Sequence, residues 1–183
     1  MVRSQHKSIG LLGGSFDPAH KGHLEITKIA IKKIKLDKVF WIVAKKNPFK
    51  KKPLFSLSER IIKAKKLSKN FKKIQVIYLD KIVGSSRIIK IINYFFFKKK
   101  LKNIYFIIGS DNLINFHRWK SWKKIVKLTK LVVLSRKGYD KKSKKSLVAK
   151  YLKNKIIFIK NKPIIISSTK LRKKYEKFIN GSI

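Results

Sequence analysis

The chain has 183 residues, 44% of them hydrophobic, with 49 Lys+Arg against 8 Asp+Glu and no cysteine. That length suffices for one domain with a full core, and the missing cysteines exclude a disulfide framework and thiol chemistry. The formal charge of +41 points toward a polyanion, yet the lysines are spread along the whole chain, so they read as a solvated surface with weak, salt-sensitive binding and no specific nucleic acid partner.

Taken in order, the sequence alternates. Ile9, Leu11 and Leu12 make a short buried strand, and 24–36 carries apolar residues at Ile26, Ile29, Ala30 and Ile34, a helical period. Val39-Phe40-Trp41-Ile42-Val43 reads as a buried parallel strand. A loop follows at 47–53, and Ser56 or Ser58 caps a helix through Leu67 with Glu59 in its first turn. Residues 74–78 form a third strand, Ser85-Ser86 opens a helix to about Phe97, and 104–108 is a fourth strand ending in Gly109-Ser110-Asp111. Short helical segments around 113–116 and 122–128 precede a fifth strand at 131–134. A lysine-rich helix, a sixth strand at 156–159 and a closing segment from Ile166 complete the chain. This alternation predicts an α/β fold, a Rossmann-like doubly wound parallel sheet in three layers, as a single domain over 1–183. The longest apolar runs, around 104–109 and 164–166, are too short to span a bilayer, and the N-terminal residues lack a signal-peptide core. A cytoplasmic protein without a membrane partner is therefore expected. The pattern does not distinguish a monomer from a homo-oligomer.

The most informative stretch is Gly13-Gly14-Ser15-Phe16-Asp17-Pro18-Ala19-His20-Lys21-Gly22-His23. It follows a strand and leads into a helix. Gly13-Gly14 is expected to let the backbone turn and approach a ligand, and Asp17-Pro18 to brace the turn. His20 and His23 fall on the first helical turn, beside unpaired N–H groups that attract anions. Neither the Gly-Lys-Ser/Thr of a P-loop nor the Gly-x-Gly-x-x-Gly of a dinucleotide fold is present. A zinc site is disfavoured, because no cysteine or acidic cluster completes the two histidines. Near the other end, Ile166-Ser167-Ser168-Thr169-Lys170-Leu171-Arg172 places hydroxyls before a helix and Arg172 on its first turn, a second anion site.

The first stretch resembles the Gly-x-Phe-Asp-Pro-x-His-x-Gly-His signature of the nucleotidylyltransferase superfamily, and the second resembles that superfamily's C-terminal Ile-Ser-Ser-Thr-x-Leu/Ile-Arg motif. The two bracket nearly the whole chain. The bacterial nicotinate-nucleotide adenylyltransferase family is the particular likeness. His20 stands where phosphopantetheine adenylyltransferases usually carry Thr, and 107–113 is similar to the family's Ile-Gly-x-Asp-x-Leu. Phe116-His117-Arg118-Trp119 is similar to its Phe-x-x-Trp, Arg136-Lys137-Gly138-Tyr139 to its Arg-x-Gly-Tyr, and Pro48-Phe49-Lys50 to its Pro-x-Lys. Ser86-Arg87-Ile88 departs from the usual Ser-Tyr-Thr, so a threonine contact to the pyridine nucleotide is missing or replaced by backbone groups.

The resemblance implies adenylyl transfer from ATP to nicotinate mononucleotide, giving deamido-NAD and pyrophosphate. It assigns His20, His23 and Arg172 to catalysis by charge stabilisation. It places ATP on Gly13, Gly14, Ser15, Phe16, His20, His23, Gly109, Asp111, Ser168, Thr169 and Arg172, with the segment 166–183 completing that site. It places the mononucleotide on Trp119, Lys50, Ser86 and Arg136, although Lys45, Lys46, Lys51 or Lys52 fits the mononucleotide phosphate as well. Mg²⁺ is expected to arrive on the ATP phosphates, with no metal ligand from the protein. The alternatives are another nucleotidylyltransferase of the same fold, acting on nicotinamide mononucleotide or phosphopantetheine, and, further off, a basic nucleic-acid-binding protein without catalysis.

Overall fold

The computed structural model describes residues 7–46, 52–162 and 166–180. Six strands, β1 (Ile9–Gly14), β2 (Lys38–Val43), β3 (Ile74–Ile77), β4 (Ile104–Gly109), β5 (Lys130–Leu134) and β6 (Ile157–Ile159), form one sheet in the order β3-β2-β1-β4-β5-β6. All five pairings are parallel. The order reverses between β1 and β4, so the crevice at their carboxyl ends is where such a sheet takes a ligand.

Alternation along the strands sends side chains into two cores. On one face Ile104, Phe106 and Ile108 of β4 join Leu131 and Val133 of β5. Helices α4 (Ile88–Asn93), α6 (Trp122–Leu128) and α8 (Leu147–Leu152) cover them through Ile89, Ile92, Ile125 and Val148. On the other face Ile107, Val132 and Leu134 join Val39, Trp41 and Val43 under α1 (Lys21–Ile34) and α2 (Leu57–Ser68), which contribute Leu24, Ala30 and Ala64. These are the three layers that the alternation predicts. Gly10 lets them close: a Cβ there would meet Ile107 Cδ1 and Val39 Cγ2 at 2.9 Å, so any larger residue would make those side chains shift.

Local chemistry sets the helix ends. Ser56 caps α2 in a reciprocal box with Glu59, whose carboxylate accepts from the Ser56 N–H at 2.8 Å. A hydrogen bond from the Ser56 hydroxyl, at 2.6 Å, together with that from the Ser56 N–H, holds the Glu59 carboxyl below its ordinary range. Three details differ from the pattern-based reading. A short helix, α3 (Asp80–Val83), precedes Gly84. Helix α4 passes into a π-helical turn over Tyr94–Lys98, where four consecutive aromatic rings must splay between core and solvent. The lysine-rich segment after Tyr139 is two helices, α7 (Asp140–Lys144) and α8, because Ser146 caps the second by accepting from the Ala149 N–H. Between β4 and α6 lie α5 (Ser110–Ile114) and a 3₁₀ turn at Phe116–Arg118, and α9 (Ser168–Asn180) ends the described chain. No helix among the described residues is long and apolar enough to cross a membrane.

Candidate active site

The carboxyl end of β1 differs from the expected glycine turn. Gly13 and Gly14 are strand residues, paired with Ile42 and Val43 of β2, and neither has a positive φ. The turn is made instead by Phe16, a non-glycine residue at φ 47°, in a region that costs an ordinary side chain about 1–3 kcal/mol. Packing holds it there. The Phe16 ring is buried, stacked on Trp41 at 5.2 Å and tilted against His23 at 4.8 Å.

The two histidines cap α1. The His20 Nδ1 accepts from the Gly22 N–H at 3.1 Å, and the His23 Nδ1 accepts from the His20 N–H at 3.3 Å. A nitrogen that accepts carries no proton, so each neutral ring bears its hydrogen on Nε2, as a donor. The rings lie 4.0 Å apart. Behind them a buried chain runs from Trp41 Nε1, which donates to Thr27 Oγ1 at 2.8 Å, to the His23 carbonyl, which accepts from Thr27 Oγ1 at 2.7 Å. Thr27 and Trp41 are fully buried.

The C-terminal motif docks on this loop. Ser168 Oγ donates to the Pro18 carbonyl at 3.1 Å, and Arg172 Nη1 donates to the Asp17 carbonyl at 2.9 Å. Arg172 also lies 3.6 Å from the Asp17 carboxylate and donates to Thr169 Oγ1. Asp17 is 3% exposed, and its two oxygens accept from the N–H groups of Leu54 and Phe55, each at 3.0 Å. It braces the turn, as expected.

Across the switch point, Gly109 caps α5, and a Cβ on it would stand 2.5 Å from Asp111 Oδ1. Asp111 Oδ2 accepts from Arg136 Nη1 at 2.6 Å, while its buried Oδ1 has no hydrogen-bond partner among the described residues. The structure thus joins Asp111, expected at ATP, to Arg136, expected at the mononucleotide. The Arg136 N–H is shared by Ser110 Oγ and the Asp140 carboxylate, each at 3.0 Å. Partial burial pushes the Asp140 carboxyl up, but hydrogen bonds from Ser110, Arg136 and Ser135 outweigh it and hold the group below its ordinary value.

The remaining expected residues stand farther along. Trp119 is half-buried, with its ring against Phe116 and Phe106 at 5.0 and 6.0 Å, so one side of it belongs to the core. Trp41 is core, as expected. Ser86 donates its hydroxyl proton to Asp80 Oδ2, which also accepts from the Lys45 N–H at 2.9 Å. Lys50 lies outside the described residues, while Lys45, Lys46 and Lys52 are exposed. Among the described residues no group of three or more His, Cys, Asp or Glu is gathered for a metal. Two surface clefts, one over Phe96, Ile104 and Leu131 and one beside Phe40, Ile77 and Tyr94, contain none of the predicted site residues.

Sequence reasoning missed Arg60 and Asp80. Arg60 is 2% exposed and donates to four carbonyls, those of Ser15 (2.7 Å), Ala44 (2.8 Å), Phe55 (3.1 Å) and Lys45 (3.2 Å). Burial pulls its pKa below the ordinary arginine value, while Asp17, Asp80 and Tyr78 pull it back up. The signal available was its identity: a helix surface in this chain would carry lysine.

Several known proteins resemble this chain over most of its length. The cytidylyltransferase-like family model matches residues 11–174. A relative from Pelagibacter ubique, named "Probable nicotinate-nucleotide adenylyltransferase", is 48% identical over 94% of this chain and 96% of its own length. One of the same name from Cereibacter sphaeroides is 34% identical over 78% of this chain and 75% of its own. Among solved structures, the nicotinic acid mononucleotide adenylyltransferase of Plasmodium falciparum complexed with APC superposes with a TM-score of 0.69 at 20% identity, covering 92% of this chain and 83% of that one. The same enzyme complexed with NaAD gives 0.67 at 21% identity with the same coverage. Two motifs that meet at the switch point of this sheet, together with a relative matched nearly end to end, place the chain in the nicotinate-nucleotide adenylyltransferase family.

Proposed function

We propose that the chain transfers the adenylyl group of ATP to nicotinate mononucleotide, giving deamido-NAD and pyrophosphate. The observation that carries this reading is the docking of Ser168 and Arg172 on the Asp17–Pro18 turn, directly before the histidine-capped start of α1. One phosphate-binding end faces the other across a single turn.

A phosphate oxygen of the mononucleotide attacks the α-phosphorus in line, the bond to the bridging oxygen breaks, and pyrophosphate leaves with that electron pair. Both reactants are anions, so the protein positions them and neutralises charge; it needs no nucleophile of its own. His20 and His23, each with its proton on Nε2, stabilise the charge that grows on the α-phosphoryl and leaving oxygens. Arg172, Ser168 and Thr169 hold the outer phosphates, and the segment 166–183 completes the ATP site of a single domain. Gly13 and Gly14 keep the strand end open, and the Ser15 and Phe16 N–H groups bind phosphate oxygen. The buried, unpartnered Asp111 Oδ1 suits a ribose hydroxyl donor. On the acceptor side, Trp119 stacks on the pyridine ring, Arg136 and Lys50 meet anionic groups, and Ser86 offers its backbone N–H.

A Mg²⁺ ion carried by the triphosphate would supply charge neutralisation for the leaving pyrophosphate, with His20, His23, Ser168, Thr169 and Arg172 holding the phosphates around it. Asp17, the acid of the first loop, accepts from two N–H groups and pairs with Arg172, so the protein's part is to hold the phosphates that would carry the ion. Mass analysis of a reaction with ATP, Mg²⁺ and nicotinate mononucleotide tests the proposal. Deamido-NAD is the expected product, and unchanged substrates would reject the assignment.

A further inference from the structure

The Ser15–Phe16 peptide is where Arg60 acts. Its plane is rigid, with the C=O of Ser15 and the N–H of Phe16 pointing in opposite directions. Arg60 Nη1 takes the Ser15 carbonyl at 2.7 Å and, with the same nitrogen, the Ala44 carbonyl at 2.8 Å, just past the end of β2. The Ser15 C=O is thereby turned toward β2. The plane being rigid, the Phe16 N–H points away from the Arg60 guanidinium. Phe16 sits at φ 47°, a conformation an L-residue leaves unless something fixes it.

We infer that Arg60 is a positioning residue for the nucleotide: its buried guanidinium sets the Ser15–Phe16 peptide plane so that the Phe16 N–H is pre-aimed at a phosphate oxygen. Arg60 does not itself touch the substrate. It spares the site the reorganisation of that donor on binding, which is what makes a fixed dipole effective. A lysine cannot replace it, because a single ammonium lacks the planar fork that reaches Ser15, Ala44, Lys45 and Phe55 together. The β2 exit loop depends on Arg60 less, since the Lys45 N–H is separately held by Asp80 and the Ala44 N–H by the Gly14 carbonyl. Loss of the fork therefore falls first on the nucleotide.

This inference rests on the proposed ATP site, and the test separates the two. Arg60→Lys and Arg60→Gln are compared with the unaltered chain in sucrose sufficient to keep them folded by circular dichroism. Affinity for α,β-methylene-ATP is measured alone, then affinity for nicotinate mononucleotide alone, with the Phe16 amide followed by ¹⁵N NMR. Nucleotide affinity should fall at least about tenfold while mononucleotide affinity changes less than about threefold. The Phe16 amide should shift with nucleotide in the unaltered chain and lose that shift in both variants. Unchanged nucleotide affinity, an equal loss for both ligands, or failure of both variants to fold in sucrose would overturn the inference and leave Arg60 a stabilising residue. Absence of nucleotide binding by the unaltered chain would instead reject the site itself.

Discussion

Thr27→Val isolates the buried chain behind His23. Valine keeps the shape of threonine and removes one hydroxyl that is fully buried, accepts from Trp41 Nε1 at 2.8 Å and donates to the His23 carbonyl at 2.7 Å. The His23 carbonyl retains its helical partner, whereas the indole N–H is left buried with no acceptor in that chain. An unsatisfied buried donor costs about 1–3 kcal/mol, so the substitution should destabilise the protein by about 2 kcal/mol. For a domain of this size that lowers Tm by about 4–8 °C. Urea denaturation of Thr27→Val, Trp41→Phe and the double variant gives the pairwise term, expected at about 1–2 kcal/mol because Phe removes the orphaned donor. Thr27→Val within about 0.5 kcal/mol of the unaltered protein, or strictly additive variants, would refute the reasoning.

Three further outcomes follow from the same geometry. His23→Ala should lower kcat by about 10²–10³ if the ring stabilises transition-state charge; an unchanged kcat would remove it from that role. Asp17→Asn leaves one acceptor oxygen for two N–H groups and discharges the partner of Arg172, so denaturant unfolding should show a loss of about 3 kcal/mol, and a neutral result would contradict the brace. With 49 basic and 8 acidic residues, self-repulsion opposes folding, and Tm should rise as NaCl goes from about 10 to about 200 mM; a flat or falling Tm would show that the lysines are effectively screened already.

The sheet was legible because buried parallel strands leave continuous apolar runs, as at 39–43 and 104–108, and because the helices between them keep their period. Residue type also singled out His20 and His23, which cap α1, and Ser168, which docks on the first loop. Other features were hidden because they depend on contacts distant in sequence. Nothing local says that Phe16 rather than Gly13-Gly14 makes the turn, since tertiary packing against Trp41 and His23 stabilises its positive φ. Arg60 bonds a carbonyl 45 residues away, and within its own helix it looks like any exposed cation. Yet composition carries a trace of it. In a chain that fills exposed positions with lysine, arginine stands at only six places, and three of them, Arg60, Arg136 and Arg172, make directed guanidinium hydrogen bonds. The Asp111–Arg136 pair could not be read either, because the two loops that carry it leave different strands.

Pyrophosphate release from ATP and Mg²⁺, measured side by side with nicotinate mononucleotide, nicotinamide mononucleotide and phosphopantetheine, decides whether the chain is an adenylyltransferase for the nicotinate form. Release should be rapid with the nicotinate form and much slower with the other two. Turnover with phosphopantetheine in preference, or no release with any of the three from folded protein, would contradict it.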